Sequence, residues 1–417
     1  MADGSSPMDG QAAPAATPRY ARKKEAILAA ATAILNSQGV KGMTLAGVAA
    51  EVGLITTSVT YYYRKKDDLA AACLLRGIET FDAMLTHAAE AADWQGRLTR
   101  FLDAYLDLMR RIRLSQAPPM VGFTEIRALK EPQRTEVTEA FSAMFRKFRG
   151  FFDAPEFAWM ERREANARTH LLLEQAFWSN SWLRRYDVED YPRVRDRMFD
   201  ILAQGMAAKD QSWAPAPLDA RALKAGDPQQ DAARDTFLRA ATSLINQRGY
   251  RGASVEDISA RLNVTKGSFY HHNQGKDDLV VDCFNRTFEV MRRAQLATRD
   301  LPGGEWGKLT SAVAALVEYQ LSDQGPLLRA SAMIALPPDI RQRVVDRYNR
   351  VSGRFAGMIS DGIAEGTIRP VDPIIASHML NATLNAAASL QSWVPGVSRE
   401  EAADLFARPL LQGVFSR

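Results

Sequence analysis

Two stretches of the chain concentrate side chains that can donate or accept hydrogen bonds without obvious means of breaking a covalent bond. VTKGSFYHHNQGKDDL spans Val264 to Leu279, and LITTSVTYYYRKKDDL spans Leu54 to Leu69. Hydroxyls, an ammonium, imidazoles and phenols within a few residues suit contact with phosphate oxygens and base edges. Catalysis would require different company. No nucleophile elbow, phosphate-cradling glycine loop or zinc motif is visible, so the sequence reads as a non-enzyme. The two cysteines, Cys73 and Cys283, cannot build a disulfide framework or a four-ligand zinc site, and neighbouring apolar residues mark them as core thiols. Of the five histidines, His271 and His272 fall in the second stretch, while His170 and His378 occupy matching places in late helices and suit a polar contact across a helix interface. No cofactor and no metal is implied.

The two stretches belong to a longer register. Shifted by 210 positions, Glu25 to Glu79 falls on Asp235 to Glu289 without a gap. Leu28, Asn36, Gly39, Ser58, Lys66, Asp67, Asp68, Leu69, Cys73 and Arg76 all recur, and apolar positions exchange like for like. Such a register implies duplication of a whole folded unit. It continues more loosely to the end of each half, where Gln204-Gly205 answers Gln412-Gly413. The expected organisation is a disordered tail over 1–18, a first head over 19–70, a helical domain over 71–207, a linker over 208–230, a second head over 231–280 and a second helical domain over 281–417.

Helices must position these residues. Ile27, Ala30, Ala31, Ile34 and Leu35 repeat at the spacing of one helix face, as do Phe237, Ala240, Ala241, Leu244 and Ile245, and no alternating strand pattern competes. The fold class is all-α. Gly39 and Gly249 are expected to close the first helix of each unit in a left-handed turn. Thr44 and Ser254 then open a second helix, with Asp257 completing a capping box that Gly47 cannot provide in the first unit. A tight turn at Gly53 or Asn263 leads to a two-turn third helix, and Lys-Asp-Asp-Leu opens a fourth. That is a helix-turn-helix plan.

Charge agrees with a nucleic-acid contact. The formal net charge is only +4, but Arg19 to Ala70 carries eight Lys or Arg against four acids, and Asp231 to Val280 seven against six. No apolar run reaches the length of a membrane helix and no signal-peptide core precedes the first helix, so the expected location is cytoplasmic, with no membrane partner.

The pattern GLITTSVTYYYRKKDDL, and more closely NVTKGSFYHHNQGKDDL, resembles the recognition-helix signature of the TetR family of bacterial transcriptional regulators. The segment DGIAEGTIRPVDP in the second half is similar to a frequent family segment between two late helices. The resemblance implies two tandem units, each an N-terminal helix-turn-helix head followed by an α-helical ligand and dimerisation domain, paired inside one chain as a pseudo-twofold dimer. It implies a repressor of transcription that binds double-stranded operator DNA and is released by a small molecule.

Residue by residue, the resemblance places Thr56, Thr57, Ser58, Thr60, Tyr61 and Tyr62 of the first head in or beside the major groove, and Lys266, Gly267, Ser268, Tyr270, His271 and His272 of the second. Thr44 and Ser254 would donate to phosphates, and Lys66 and Lys276 would pair with phosphates as point charges. Thr56 and Thr57 depart from the family's Lys and Gly, and Asn273 from its aromatic residue. The two heads are thus expected to read an imperfect palindrome, the alternative being one degenerate head that serves as a phosphate clamp or protein-interaction module. The resemblance further implies an effector among the later helices, where Phe141, Phe145, Phe148, Trp178, Met333, Tyr348 and Phe355 suggest an apolar or aromatic molecule. The interface helices are expected near Asn166 to Ala207 and Asp372 to Gln412, giving a monomer that acts as a pseudo-dimer, with a homodimer the other arrangement.

Overall fold

In the computed structural model the described residues are 18–219, 223, 232–262, 275–334 and 336–417. The recognition segment of the second head, with Lys266, Gly267, Ser268, Tyr270, His271 and His272, lies outside them, as does almost all of the expected tail. Among the described residues the chain is helical, apart from one isolated bridge between Ala207 and Ile368.

The first half runs α1 (Pro18–Gly42), α2 (Leu45–Glu51), α3 (Thr56–Tyr62), α4 (Lys66–Ala89), α5 (Trp94–Arg113), a 3-10 turn (Phe123–Ala128), α6 (Gln133–Arg149), α7 (Arg162–Trp182) and α8 (Tyr191–Gln204). The second half repeats this order with α9 (Ala232–Gly252), α10 (Val255–Leu262), α11 (Lys276–Ala297), α12 (Gly304–Leu321), α13 (Pro338–Glu365) and α14 (Pro373–Ala387), then short helical pieces over 390–393 and 399–412.

Local chemistry explains the boundaries. Gly39 and Gly249 both have φ near +70° and break the first helix of their half, after which one further turn continues to Gly42 or Gly252. Thr44 Oγ1 accepts from Gly47 N, and in the second half Ser254 and Asp257 bond reciprocally, so the capping box forms only where the sequence supplies its carboxylate.

The apolar faces meet in one continuous core. Within the first half Phe81, Phe101, Tyr105, Phe148 and Phe151 form a buried aromatic cluster. Cys73 and Cys283 are free and buried, each lying against a carbonyl of the first helix of its half, and burial pushes the Cys283 thiol up to about 12.

The halves pair through α7 and α8 of the first against α14 and the C-terminal helical pieces of the second. This is the expected internal dimer. Gln175 donates to Met379 O and Thr383 Oγ1, and Arg168 donates to Val414 O and Ser416 O. His170 Nε2 lies 3.1 Å from Ala386 O, and His378 stacks on Trp182 with its Nε2 3.5 Å from Arg185 Nη1. Both histidines therefore serve the interface.

At the two helix ends the backbones themselves cross. Met206 N donates to Leu411 O and Val414 N donates to Leu202 O, both at 2.7 Å. Gly205 and Gly413, which correspond in the two halves, both take positive φ at this crossing. Residues 208–219 and Leu223 pack against the second half: Trp306 Nε1 donates to Ser212 O, Ala216 N donates to Ser311 Oγ, and Leu223 is buried.

Candidate nucleic-acid interface

Helix α3 runs for only two turns, bounded by extended backbone at Ile55 and Tyr63. Val59 packs inward at the centre of the head, and Tyr63, just past the helix, is buried, with its phenol pushed up to about 12 by desolvation. The opposite face is open. Thr56, Thr57, Thr60 and Tyr61 are exposed, Ser58 and Tyr62 half-buried. Tyr61 is 76% exposed and Ile55, just before the helix, 71%, which for side chains of that size is an unusual amount of apolar surface left in water. Thr60 Oγ1 donates to Thr56 O, so its hydroxyl proton is committed to the helix and it offers outward an acceptor and a methyl. Gly53, at φ +64°, makes the turn that brings α3 across α2.

A second element borders this face. Tyr20, on the first turn of α1, packs on Tyr62 at 4.8 Å between ring centroids and edge-on to Tyr61 at 6.4 Å. That contact sets the N-terminal end of α1 beside the recognition helix. Arg19, Arg22 and Lys24 on the same segment are exposed, so positive charge flanks the exposed apolar tip. Ile55 and Tyr20 escaped the sequence reading. Their signal was present in two respects: a basic run at the start of α1, and an isoleucine at the mouth of the turn where solvent exposure is otherwise unexplained.

The two lysines that open the fourth helices have partners within their own heads. Lys66 Nζ donates to Val40 O at 3.0 Å and Lys41 O at 3.2 Å, closing the unpaired carbonyl end of α1. One N–H of the ammonium remains for a phosphate. Lys276 places its ammonium 4.4 Å from the centre of the Tyr250 ring, whose hydroxyl donates to Asp277. Both lysines thus contact their own head. Lys66→Ala is expected to lower the stability of the chain by about 1–2 kcal/mol, the range for a partly exposed charged donor to carbonyls. Urea unfolding checks this. Unchanged stability with a drop of about one unit in the salt slope of DNA binding would instead make phosphate pairing its main role.

Each head is fastened to its helical domain in the same way. Asn36 Nδ2 donates to Met120 O and its Oδ1 accepts from Gly122 N; Asn246 does the same with Leu327 O and Arg329 N. A second tie joins the first and fourth helices, Glu25 to Arg76 at 2.5 Å and Asp235 to Arg286 at 2.7 Å. The halves also touch beside their heads, Lys41 Nζ donating to Gly252 O and Arg127 Nη1, from the 3-10 turn, to Asn246 O.

The aromatic residues expected to line an effector pocket lie in the core and where the halves meet. Phe148 and Phe355 are fully buried core residues of different halves, and Met333 is buried in the second. Phe145 stacks on Trp393 of the other half at 3.8 Å, with Phe141 at 6.0 Å from the same ring. Trp178 meets Tyr348 edge-on across the halves. They went to core and interface because helical spacing selects large apolar side chains for both. Tyr348 does border a cavity, with Phe284, Phe288 and Leu384, but its volume is about 20 Å³, room for no more than a water.

Among the described residues no group of histidines, cysteines and carboxylates could hold a metal ion, and no helix is long and apolar enough to cross a membrane.

Comparison with known proteins agrees with this geometry. Residues 27–73 and 237–283 both match the family described as bacterial regulatory proteins, tetR family, and residues 303–414 match a Tetracyclin repressor-like C-terminal domain. The chain is similar to the Transposon Tn10 TetC protein of Escherichia coli, 26% identical over 37% of this chain and 78% of that protein. It is also similar to the HTH-type transcriptional regulator YhgD of Bacillus subtilis, 24% identical over 43% of this chain and 94% of the relative. A nearly whole relative thus corresponds to less than half of this polypeptide. Among solved structures, the TetR family regulator PfmR from Thermus thermophilus aligns over 43% of this chain and 99% of its own, at 20% identity and a TM-score of 0.37. The chain belongs to the tetR family of bacterial regulatory proteins, with the family's DNA-binding unit present twice in one polypeptide.

Proposed function

We propose that the chain is a repressor that holds two unlike half-sites of one double-stranded operator with its two heads and releases them when a small molecule binds. The observation that carries this reading is the exposed face of Ile55, Thr56, Thr57, Thr60 and Tyr61 beside the basic start of α1, at a position where the second head's sequence has different residues. The heads are taken as residues 19–70 and 231–280, the helical domains as 71–207 and 281–417, joined by 208–230. Because α7 and α8 already pair with their counterparts inside the chain, one molecule of 46.2 kDa supplies both heads, and a dimer of chains is the competing arrangement. Two relatives are transcriptional repressors by name, which favours repression.

Two heads with different contact residues favour an operator with two distinguishable halves. Threonine methyls suit thymine C5-methyl groups, whereas Lys266 can donate to guanine O6 and N7, and a good pair discriminates by about 1–3 kcal/mol. Thr44 and Ser254 sit at helix starts, where backbone N–H groups donate to phosphate oxygens, while the Ser254 hydroxyl donates to Asp257 Oδ2.

The test selects bound fragments from genomic DNA, footprints them and exchanges half-sites. Making both halves identical, in either direction, is expected to weaken binding by about 1 kcal/mol or more per mismatched position. Tyr61→Ala is expected to weaken contact at one half-site only. A perfect palindrome of one half that binds as well as the natural site would leave the other head as a phosphate clamp.

A further inference from the structure

A cleft of about 400 Å³ opens between the halves rather than within either helical domain. It is walled by Arg127 from the 3-10 turn of the first half and by Gln247, Ala388, Ser389, Gln391 and Ser392 from the second. That volume is in the range of small-molecule sites, and the wall is polar. It carries a guanidinium and no carboxylate.

A second arginine stands close by. Arg329 N donates to Asn246 Oδ1, next to Gln247 in the wall, and its Nε is buried without a hydrogen-bond partner. Burial lowers its pKa, Glu174 opposes that, and Arg127 adds to it, so the two guanidinium groups sense each other across the halves. An Arg329 Nε that is buried without a hydrogen-bond partner, beside a second guanidinium, leaves a donor that an anion would satisfy. Ser389 leads inward from the cleft, its Oγ 3.3 Å from Nε2 of the buried His170.

We propose that this cleft binds a small acidic ligand, a carboxylate or phosphate on a polar body, held by Arg127 and Arg329 together. The ligand therefore differs in class from the apolar effector that the aromatic content of the sequence suggests. Its place also gives it a route to the heads. Arg127 Nη1 now donates to Asn246 O on the first helix of the second head, and Arg329 N holds the side chain of the same asparagine. A ligand that draws Arg127 away from Asn246 breaks a direct tie between the halves beside their heads. This part rests on the reading that a small molecule releases the operator.

Thermal unfolding of the full chain in sodium phosphate, sodium succinate and sodium chloride, at matched pH and ionic strength, tests the site. The expected result is a saturable rise of about 2–4 °C in phosphate or succinate over chloride, as ligand binding to the folded state requires. The rise is expected to fall by at least half in Arg127→Gln and in Arg329→Gln, and to persist in the control Arg110→Gln, which lies on α5 paired with Asp107. Arg127 is exposed, so its variant keeps the test valid if Arg329→Gln fails to fold. A response to phosphate alone assigns a phosphate ligand, and to succinate alone a carboxylate. No rise over chloride, or a full rise in Arg127→Gln, overturns the proposal. Operator binding is followed separately: retention of DNA with the cleft saturated would leave the site standing and overturn release by it.

Discussion

Lowering the pH from 7.5 to 4.5 is expected to remove about 2–3 kcal/mol of stability through His378 alone. Burial pushes this imidazole down to about 4, and the Arg185 guanidinium beside it acts in the same direction. Its unfolded value is about 6.5. Between those two values the unfolded chain binds a proton that the folded chain refuses, so stability is complete above about pH 6.5 and is lost as the pH falls toward 4. A difference of that size corresponds to roughly 3 kcal/mol in full. His170, also lowered by burial, adds in the same sense. Both rings sit where the halves meet, so the loss is expected in their pairing. Urea unfolding at pH 7.5, 6.5, 5.5 and 4.5 measures it, and His378→Leu is expected to make the profile shallower above pH 5, before most carboxylates titrate, with His170 supplying what slope remains. An unchanged midpoint from pH 7.5 to 5.5 in the wild type would show that the imidazole is hydrated rather than enclosed.

Gly205→Ala is expected to destabilise the chain by about 3–5 kcal/mol. Gly205 has φ +69° and ψ −155°, a region open only to glycine, which for an L residue costs about 1–3 kcal/mol. A methyl group there would also lie 2.4 Å from Leu411 O and 2.5 Å from Gln412 Cα, both backbone atoms of the opposing half. Backbone locked in hydrogen bonds cannot give way as a flexible side chain would, so the pairing itself must open. Gly53→Ala is the control, since it too has positive φ but meets nothing within 4 Å, and it is expected to lose only about 1–2 kcal/mol. Equal losses in the two variants would reduce the Gly205 effect to backbone conformation alone.

What could be read in the sequence was whatever the duplication or a local rule determined. The 210-residue register marked the two halves, and the first-helix glycines, the Ser254–Asp257 box and the matched cysteines followed from positions that repeat. His170 and His378 were legible as interface residues for the same reason. Lys66 was not, because a lysine that closes a helix end and a lysine that meets a phosphate look alike until the Val40 and Lys41 carbonyls are in place. Phe145 could not be separated from a pocket residue, since its partner Trp393 lies in the other half of the chain. Tyr20 was legible only through the basic run around it, its contact with Tyr62 arising when the first turn of α1 packs beside α3. The cleft at Arg127 and Arg329 draws residues from both halves, and no local pattern announces such a meeting.

The crossing at Gly205 and Gly413 also bears on heredity. In a regulator assembled from separate identical chains, a defective copy mixes with sound ones, and a single bad allele can poison most of the assemblies in the cell. Here each half closes its interface on the other half of the same polypeptide, through Met206 N to Leu411 O and Val414 N to Leu202 O. This surface is therefore already occupied within one chain and, on the proposal that one chain supplies both heads, offers no place for chains to exchange partners. A mutation that disables one head is expected to stay recessive when a normal copy of the gene is present.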